Sequence, residues 1–178
     1  SMIFVNGMES DTVSALDRGL MYGDGVFRTF PLRQGRAVLW QRHYAKLAAD
    51  CGALRILCPA ANILERDMAV ISARHPDCVV KIVITRGTGP RGYAIPHDAI
   101  PTRIVTANPI PAFEPAHDAP ACRVHLCSTR LGVQPALAGL KHLNRLENVL
   151  ARSEWNDPAI GEGLMRDPDD NIVCGTMS

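Results

Sequence analysis

No apolar run in this sequence approaches the roughly 18 residues that a bilayer-crossing helix requires. The opening residues SMIFVNG also lack the charged and apolar regions of a secretory signal. The expectation is a cytoplasmic protein; Ser1, ahead of Met2, reads as a cloning remnant and is set aside. An excess of one charge sign is missing too. Formal net charge is +1, with basic residues scattered among acidic ones, so no electrostatic stripe offers itself to nucleic acid or an anionic membrane. The expected partner is a small molecule. None of the six cysteines (Cys51, Cys58, Cys78, Cys122, Cys127, Cys174) forms a C-x-x-C pair, and they read as small buried hydrophobes rather than as disulfides or a zinc site. Internal repeats, Ser/His/Asp spacings and metal-ligand spacings are lacking as well, and no metal is expected.

What is present suits a globular chain: 178 residues, 47% hydrophobic and 21% charged, enough for one ordinary domain or two small ones. Ile3 to Val5 and Val26 to Leu32 read as strands, with Asn6-Gly7 and Gln34-Gly35 as turns. Helical patterning covers Gln41 to Gly52 and Ala60 to Arg74, the second framed by Pro59 and Pro76. The β-branched run Cys78 to Thr85 predicts a buried strand, and Thr102 to Ala107 another. Four prolines in PIPAFEPAHDAP, Pro109 to Pro120, then predict a linker. Beyond it come a strand at Arg123 to Ser128, an amphipathic helix within Ala138 to Trp155, a strand at Gly163 to Met165, a turn over Asp167 to Asn171 and a strand from Ile172. The helix would put Leu143, Leu146, Val149 and Leu150 on one face. The resulting expectation is an α/β (α+β) chain: an N-terminal α/β domain over 1–108, a linker over 109–120, and a more β-rich piece over 121–178 that reads as truncated.

Gly87-Thr-Gly-Pro-Arg-Gly92 matches G-x-G-x-x-G after a strand, but Pro96 and the lack of a 3.6-residue period argue against the helix that a dinucleotide site needs. The same loop carries Arg86, Arg91 and Tyr93, groups suited to a carboxylate or phosphate; a solvated loop is the equal alternative. Tyr22-Gly-Asp-Gly-Val-Phe-Arg-Thr-Phe30 predicts a tight turn into a strand with Phe27 and Thr29 on one face and Val26 and Arg28 on the other. His43 and Lys46 stand one turn apart on a predicted helix, where a solvated face is the simpler reading.

Lys141 follows the apolar run Ala136 to Leu140. A surface lysine is the ordinary case. An amine stripped of hydration, however, favours its neutral form and becomes a nucleophile able to form a Schiff base, the chemistry of a pyridoxal phosphate lysine.

Taken in order, Asn6-Gly7, Leu16-Asp-Arg18, Tyr22-Gly-Asp-Gly-Val-Phe27, His43-Tyr-Ala-Lys-Leu47, Lys81-Ile-Val-Ile-Thr-Arg-Gly87, Arg91-Gly-Tyr93 and Gly139-Leu-Lys-His-Leu-Asn-Arg145 resemble the class IV aminotransferase group of fold-type IV pyridoxal phosphate enzymes. The resemblance runs over essentially the whole chain and is strongest to the group's 4-amino-4-deoxychorismate lyase branch. It implies a barrel-like second domain that binds cofactor, with pyridoxal 5'-phosphate joined to Lys141. It also implies phosphate contact from Lys46, which stands where the group has arginine in H-x-x-R-L, keeping the charge but not the bidentate fork. Asn144 is implied on the cofactor side of the helix, and Arg91 and Tyr93 on the substrate carboxylate, with Phe27, Arg28 and Thr29 lining the pocket.

Members of the group usually read T-E-G-T-M-S-N-L where this chain has Val173-Cys-Gly-Thr-Met-Ser178. Cys174 thus replaces the glutamate that pairs with the pyridine nitrogen, and a thiol of pKa about 8.5 is a poor partner for a pyridinium. The residues that follow in the group complete the second domain, and without them cofactor is expected to be held poorly.

The implied function is conversion of 4-amino-4-deoxychorismate to 4-aminobenzoate and pyruvate, a lyase step of folate biosynthesis, in a homodimer. The alternatives are a branched-chain or D-amino-acid aminotransferase on the same fold, and a truncated non-catalytic domain serving oligomerisation or binding.

Overall fold

The computed structural model describes residues 2–110 and 122–177. Most of the proline-rich linker expectation therefore falls on residues outside those described. The chain divides into two compact units, Ser1–Ala112 with Leu140–Leu143, and Phe113–Gly139 with Asn144–Ser178.

In the first unit the β-branched and alternating stretches form one antiparallel sheet. Its strands are β1 (Met2–Val5), β2 (Met8–Glu9), β3 (Gly25–Arg33), β4 (Arg36–Ala37), β5 (Cys78–Thr85) and β6 (Thr102–Asn108), in the order β2-β1-β6-β5-β3-β4. Asn6 and Gly7, like Gln34 and Gly35, all have positive φ, the backbone that two-residue hairpin turns demand. β3 and β5 run in register from Gly25↔Thr85 to Leu32↔Cys78.

Period-2 alternation sends Val26, Phe30 and Leu32 of β3 and Cys78, Val80, Ile82 and Ile84 of β5 into one buried face. Helix α2 (Trp40–Ala53) and helix α3 (Ala61–Arg74) cover it with Leu47, Cys51, Leu64, Met68 and Ile71. Fully burying such side chains contributes about 1.5–3 kcal/mol each. Buried Asp67 of α3 is matched by Arg103 of β6, whose Nε donates to it at 2.5 Å.

A third helix, α1 (Arg18–Tyr22), is too short to show a period. Its caps define it: Asp17 accepts from the Gly19 N–H, and Gly23 closes it in the left-handed region.

The second unit holds a three-stranded sheet, β7 (Arg123–Arg130), β8 (Ile160–Arg166) and β9 (Ile172–Gly175). β7 and β8 are parallel, so a crossover must join them. Helix α4 (Leu146–Arg152) lies in that crossover, and its Ala151 packs with Cys127, Trp155 and Met165. Glu154, just past the helix, accepts from the backbone N–H and hydroxyl of both Ser128 and Thr129, tying this end of the crossover to β7.

The helix expected within Ala138 to Trp155 is shorter than its pattern. Only Leu146–Arg152 is helical within that span, and Leu143 is a bend directly after the His142 bridge to β3. Gly139 at φ +75° breaks the local path, and long-range pairing of residues 141–143 with β3 overrides the helical period. Leu146, Val149 and Leu150 are 70%, 60% and 53% exposed, so their shared stripe is not a core face. The cysteine reading also needs correction. Cys51, Cys78 and Cys127 are buried, Cys58 and Cys174 are half-buried, and Cys122 is exposed; all six are free.

Candidate active site

The site starts from an ionic knot beneath the first turn of β3. Asp24 accepts from Arg18 Nε at 2.9 Å and from Arg86 Nε and Nη2 at 2.7 and 2.9 Å. Burial pushes the Asp24 carboxyl up, but Arg86 and then Arg18 more than offset it and hold it below its ordinary value. Arg86 further donates to the Leu54 and Arg55 carbonyls, so the loop after α2 and the turn into β3 share one anchor.

Immediately after Asp24 the chain must be glycine. A Cβ on Gly25 would lie 2.6 Å from the Ile84 carbonyl oxygen and 2.7 Å from Leu143 Cδ1. That closeness lets residues 141–143 pair with the start of β3, on the side away from β5 and ahead of its hairpin with β4. The Phe27 N–H donates to the Lys141 carbonyl at 2.9 Å, the Leu143 N–H donates to the Gly25 carbonyl at 3.0 Å, and Val26 bridges His142 antiparallel. Lys141 is therefore strand-like, and its backbone is held on both sides of the pair.

Its ammonium Nζ stands 5.1 Å from the centre of the Phe27 ring, and Lys81 Nζ stands 4.9 Å from the same ring. Both distances are those of cation–π contacts. From α2, the fully buried carboxylate of Asp50 accepts the Lys141 N–H at 3.3 Å through Oδ2 and pairs with Lys46 Nζ through Oδ1. One turn earlier, His43 stacks on Phe30 with ring centres 4.7 Å apart, and its Nδ1 lies 3.2 Å from Arg28 Nη2. Because a guanidinium only donates, Nδ1 accepts, and the ring proton belongs on Nε2. Burial first, then the charges of Arg28 and Lys141, push the His43 pKa below its ordinary value.

Among the residues named from the sequence, Lys141 and Phe27 meet, and Lys46 joins Lys141 through Asp50. Arg28 faces His43 on α2, and its Nε is buried without a hydrogen-bond partner among the described residues. Thr29 is exposed, on the same β3 face as Phe27. Arg91 is exposed and Tyr93 is 85% exposed. Their loop is nonetheless fixed: Arg18 Nη1 donates to the Gly92 carbonyl at 2.9 Å, the Gly92 N–H donates to the Tyr22 hydroxyl at 3.2 Å, and Tyr22 and Tyr93 meet edge to face at 5.2 Å.

Asn144 and Cys174 belong to the second unit, where Asn144 is exposed. Burial pushes the Cys174 thiol up, and Arg145 opposes this while Glu162 and Glu147 add to it. Glu162 of β8 spends one oxygen on the Gly163 N–H, the Thr176 N–H and the Thr176 hydroxyl, at 2.9, 3.0 and 2.5 Å. Its carboxylate thus holds Thr176, two residues after Cys174.

Asp50 is the residue that the sequence reading missed. Its only local signal is the i,i+4 spacing to Lys46, which a solvated ion pair shows equally.

The family model described as amino-transferase class IV matches residues 25–178, most of the chain. The chain belongs to that family. It is 32% identical to an aminodeoxychorismate lyase of Vibrio harveyi, covering 99% of this chain and 65% of that protein. A 4-amino-4-deoxychorismate lyase structure from Pseudomonas aeruginosa superposes with a TM-score of 0.92 at 44% identity, over 99% of this chain and 65% of the other. The fold is shared more widely. A hypothetical aminotransferase from Mycobacterium tuberculosis in PLP-bound form gives a TM-score of 0.74 at 19% identity, with 99% and 65% covered. The chain spans just under two thirds of the length of each of these relatives.

Class IV membership implies pyridoxal phosphate, and the first unit's donor set fits an anionic aldehyde. It offers an amine on a doubly pinned strand segment, joined through Asp50 to a second cation. The second unit fits less well at one point. The resemblance sets Cys174 opposite the pyridine nitrogen, and a thiol whose pKa is raised would supply no negative charge there.

Proposed function

We propose that the chain is the Lys141-bearing part of a pyridoxal phosphate-dependent lyase that converts 4-amino-4-deoxychorismate to 4-aminobenzoate and pyruvate. The observation that carries the reading is the placement of Lys141. Its segment is paired to β3 and its amine is set against Phe27, in a chain 32% and 44% identical to two proteins so named.

When bound, the cofactor would supply an aldehyde that captures the substrate amine and withdraws electrons from the carbon bearing it. Lys141 would hold the cofactor in the resting protein and serve as base once displaced. Its Nζ takes the proton from the ring carbon that bears the amine, the ring becomes aromatic as the C–O bond to the enolpyruvyl group breaks, and Nζ returns a proton to the methylene carbon of the departing group. Atoms balance without water. Lys46 would meet the cofactor phosphate, Asn144 and Cys174 would lie toward the cofactor, and Phe27, Arg28 and Thr29 would line the pocket. Arg91 and Tyr93 would hold a substrate carboxylate, with the loop preset by Arg18 and Tyr22.

Cys174 favours the lyase over the aminotransferase alternative. Amino-group transfer leans on a protonated pyridine as electron sink, whereas aromatisation drives the lyase step. A putative branched-chain-amino-acid aminotransferase of Methanocaldococcus jannaschii, 30% identical, keeps the second reading open to assay.

Release of pyruvate from 4-amino-4-deoxychorismate in the presence of cofactor is the expected result. Transfer of amino groups to 2-oxoglutarate without pyruvate release would favour the aminotransferase, and failure to bind pyridoxal phosphate in a spectroscopic titration would favour the non-catalytic reading. Lys141→Ala should abolish pyruvate release, by at least about 10³-fold given the loss of both base and attachment point. The same reading places the step in cytoplasmic folate biosynthesis, the second unit in a cofactor-binding domain, and the protein in a homodimer, which sedimentation would test.

A further inference from the structure

We propose that Asp50 is a positioning residue that sets Lys141 and Lys46 together, holding the backbone of the amine-bearing residue while restraining the charge offered to phosphate. The inference rests on the reading of Lys141 and Lys46 as cofactor-facing residues.

Asp50 lies on the buried side of α2, next to Cys51 and one turn beyond Lys46, with 0% exposure. A carboxylate taken fully out of water is costly unless each oxygen finds a donor or a counter-charge. Here the two oxygens divide the task. Oδ2 accepts the Lys141 N–H at 3.3 Å, and Oδ1 faces Lys46 Nζ. The opposite side of Lys141 is fixed by its carbonyl, which accepts from Phe27 N at 2.9 Å. Residue 141 is therefore clamped between a strand edge and a helix side chain, and the helix side of the clamp carries a charge.

The same charge acts on Lys46. An ammonium already facing a buried carboxylate gives less to an incoming dianion than one facing none, because its field is largely cancelled at close range. Asp50 thus trades phosphate attraction for a fixed position of the amine, and removing its charge alone should separate the two effects. Asparagine keeps an oxygen for the Lys141 N–H but lifts the counter-charge from Lys46, whereas alanine removes both.

The test measures binding of pyridoxal phosphate and of unphosphorylated pyridoxal to the whole chain by absorbance. In parallel, borohydride trapping with peptide mass analysis gives the yield of pyridoxyl adduct at residue 141. Asp50→Asn should raise the preference for the phosphorylated form at least about three-fold with trapping yield kept, and Asp50→Ala should cut the trapping rate about ten-fold, the scale of one lost charge-assisted hydrogen bond. In a Lys46→Met background, Asp50→Asn should leave the phosphate preference unchanged, a comparison that stays informative if the alanine variant does not fold. An unchanged preference in Asp50→Asn, with only the melting temperature lowered, would show a purely structural role and overturn the proposal. Absence of trapping at Lys141 in the unmodified chain would instead overturn the reading on which it rests.

Discussion

Gly25 has no room for a methyl group, since its Cβ would approach both Ile84 O and Leu143 Cδ1 below 3 Å. The first obstacle is backbone of the central strand and cannot swing aside. Gly25→Ala should therefore cost about 2 kcal/mol, in the range of overpacked interiors, and should displace the segment that carries Lys141. A lowered urea midpoint together with lost cofactor capture is the expected pair of results.

His43 makes a second prediction at this scale. Its pKa lies below the ordinary 6.5, through burial, Arg28 and Lys141 in that order. A depressed folded value means that its contribution to stability is full above pH 6.5 and is lost as pH falls through the depressed pKa. Ring nitrogen NMR should find the neutral His43 ring, with its proton on Nε2, in the majority at pH 6.5, and Arg28→Met should raise its titration midpoint.

At the scale of elements, the Arg18–Asp24–Arg86 knot decides where β3 begins and so where Lys141 can pair. Asp24→Asn leaves two guanidinium groups facing one another without their shared carboxylate, a loss on the order of 3–5 kcal/mol for a buried pair. The pH dependence has a definite sign. Asp24 titrates below its ordinary 3.8, so its contribution is complete above about pH 4 and fades as pH falls through the depressed value. The stability gap between the unmodified chain and Asp24→Asn should therefore narrow on acidification, as measured by denaturant unfolding at several pH values.

How much of this was legible varies by element, for physical reasons. Cys78 to Thr85 announces itself because every second residue is buried and the others are mostly β-branched. The two long helices show their apolar period, and the hairpin turns show their Asn-Gly and Gln-Gly signals. By contrast β2, β4 and α1 are too short to carry a period. The segment around Lys141 misleads because its pattern is helical while its hydrogen bonds go to Gly25 and Phe27, more than a hundred residues earlier. Asp50 stays hidden for a similar reason: one aspartate on a helix looks the same in sequence whether it faces water or a buried amide.

For the whole molecule, the six-stranded antiparallel sheet with its two covering helices and the separate β7-α4-β8-β9 unit agree with a class IV aminotransferase fold. The resemblance across the chain pointed to that fold, whereas composition and periodicity alone reached only a mixed α/β class. Lys141 was singled out mainly through the residues around it, and the pairing of its segment with β3 became clear only from long-range contacts. The resemblance sets Cys174 where the group usually has glutamate, and the structure adds that burial raises the thiol's pKa. Cys174→Glu should thus strengthen any amino-transfer side reaction relative to pyruvate release, read as a changed ratio of the two products.

The proposed chemistry stands on covalent capture at one particular amine. Reduction of the pyridoxal phosphate-saturated chain with borohydride, followed by peptide mapping, should yield a single phosphopyridoxyl adduct, on Lys141. An adduct on Lys46 or Lys81 instead, or none at all, would contradict it.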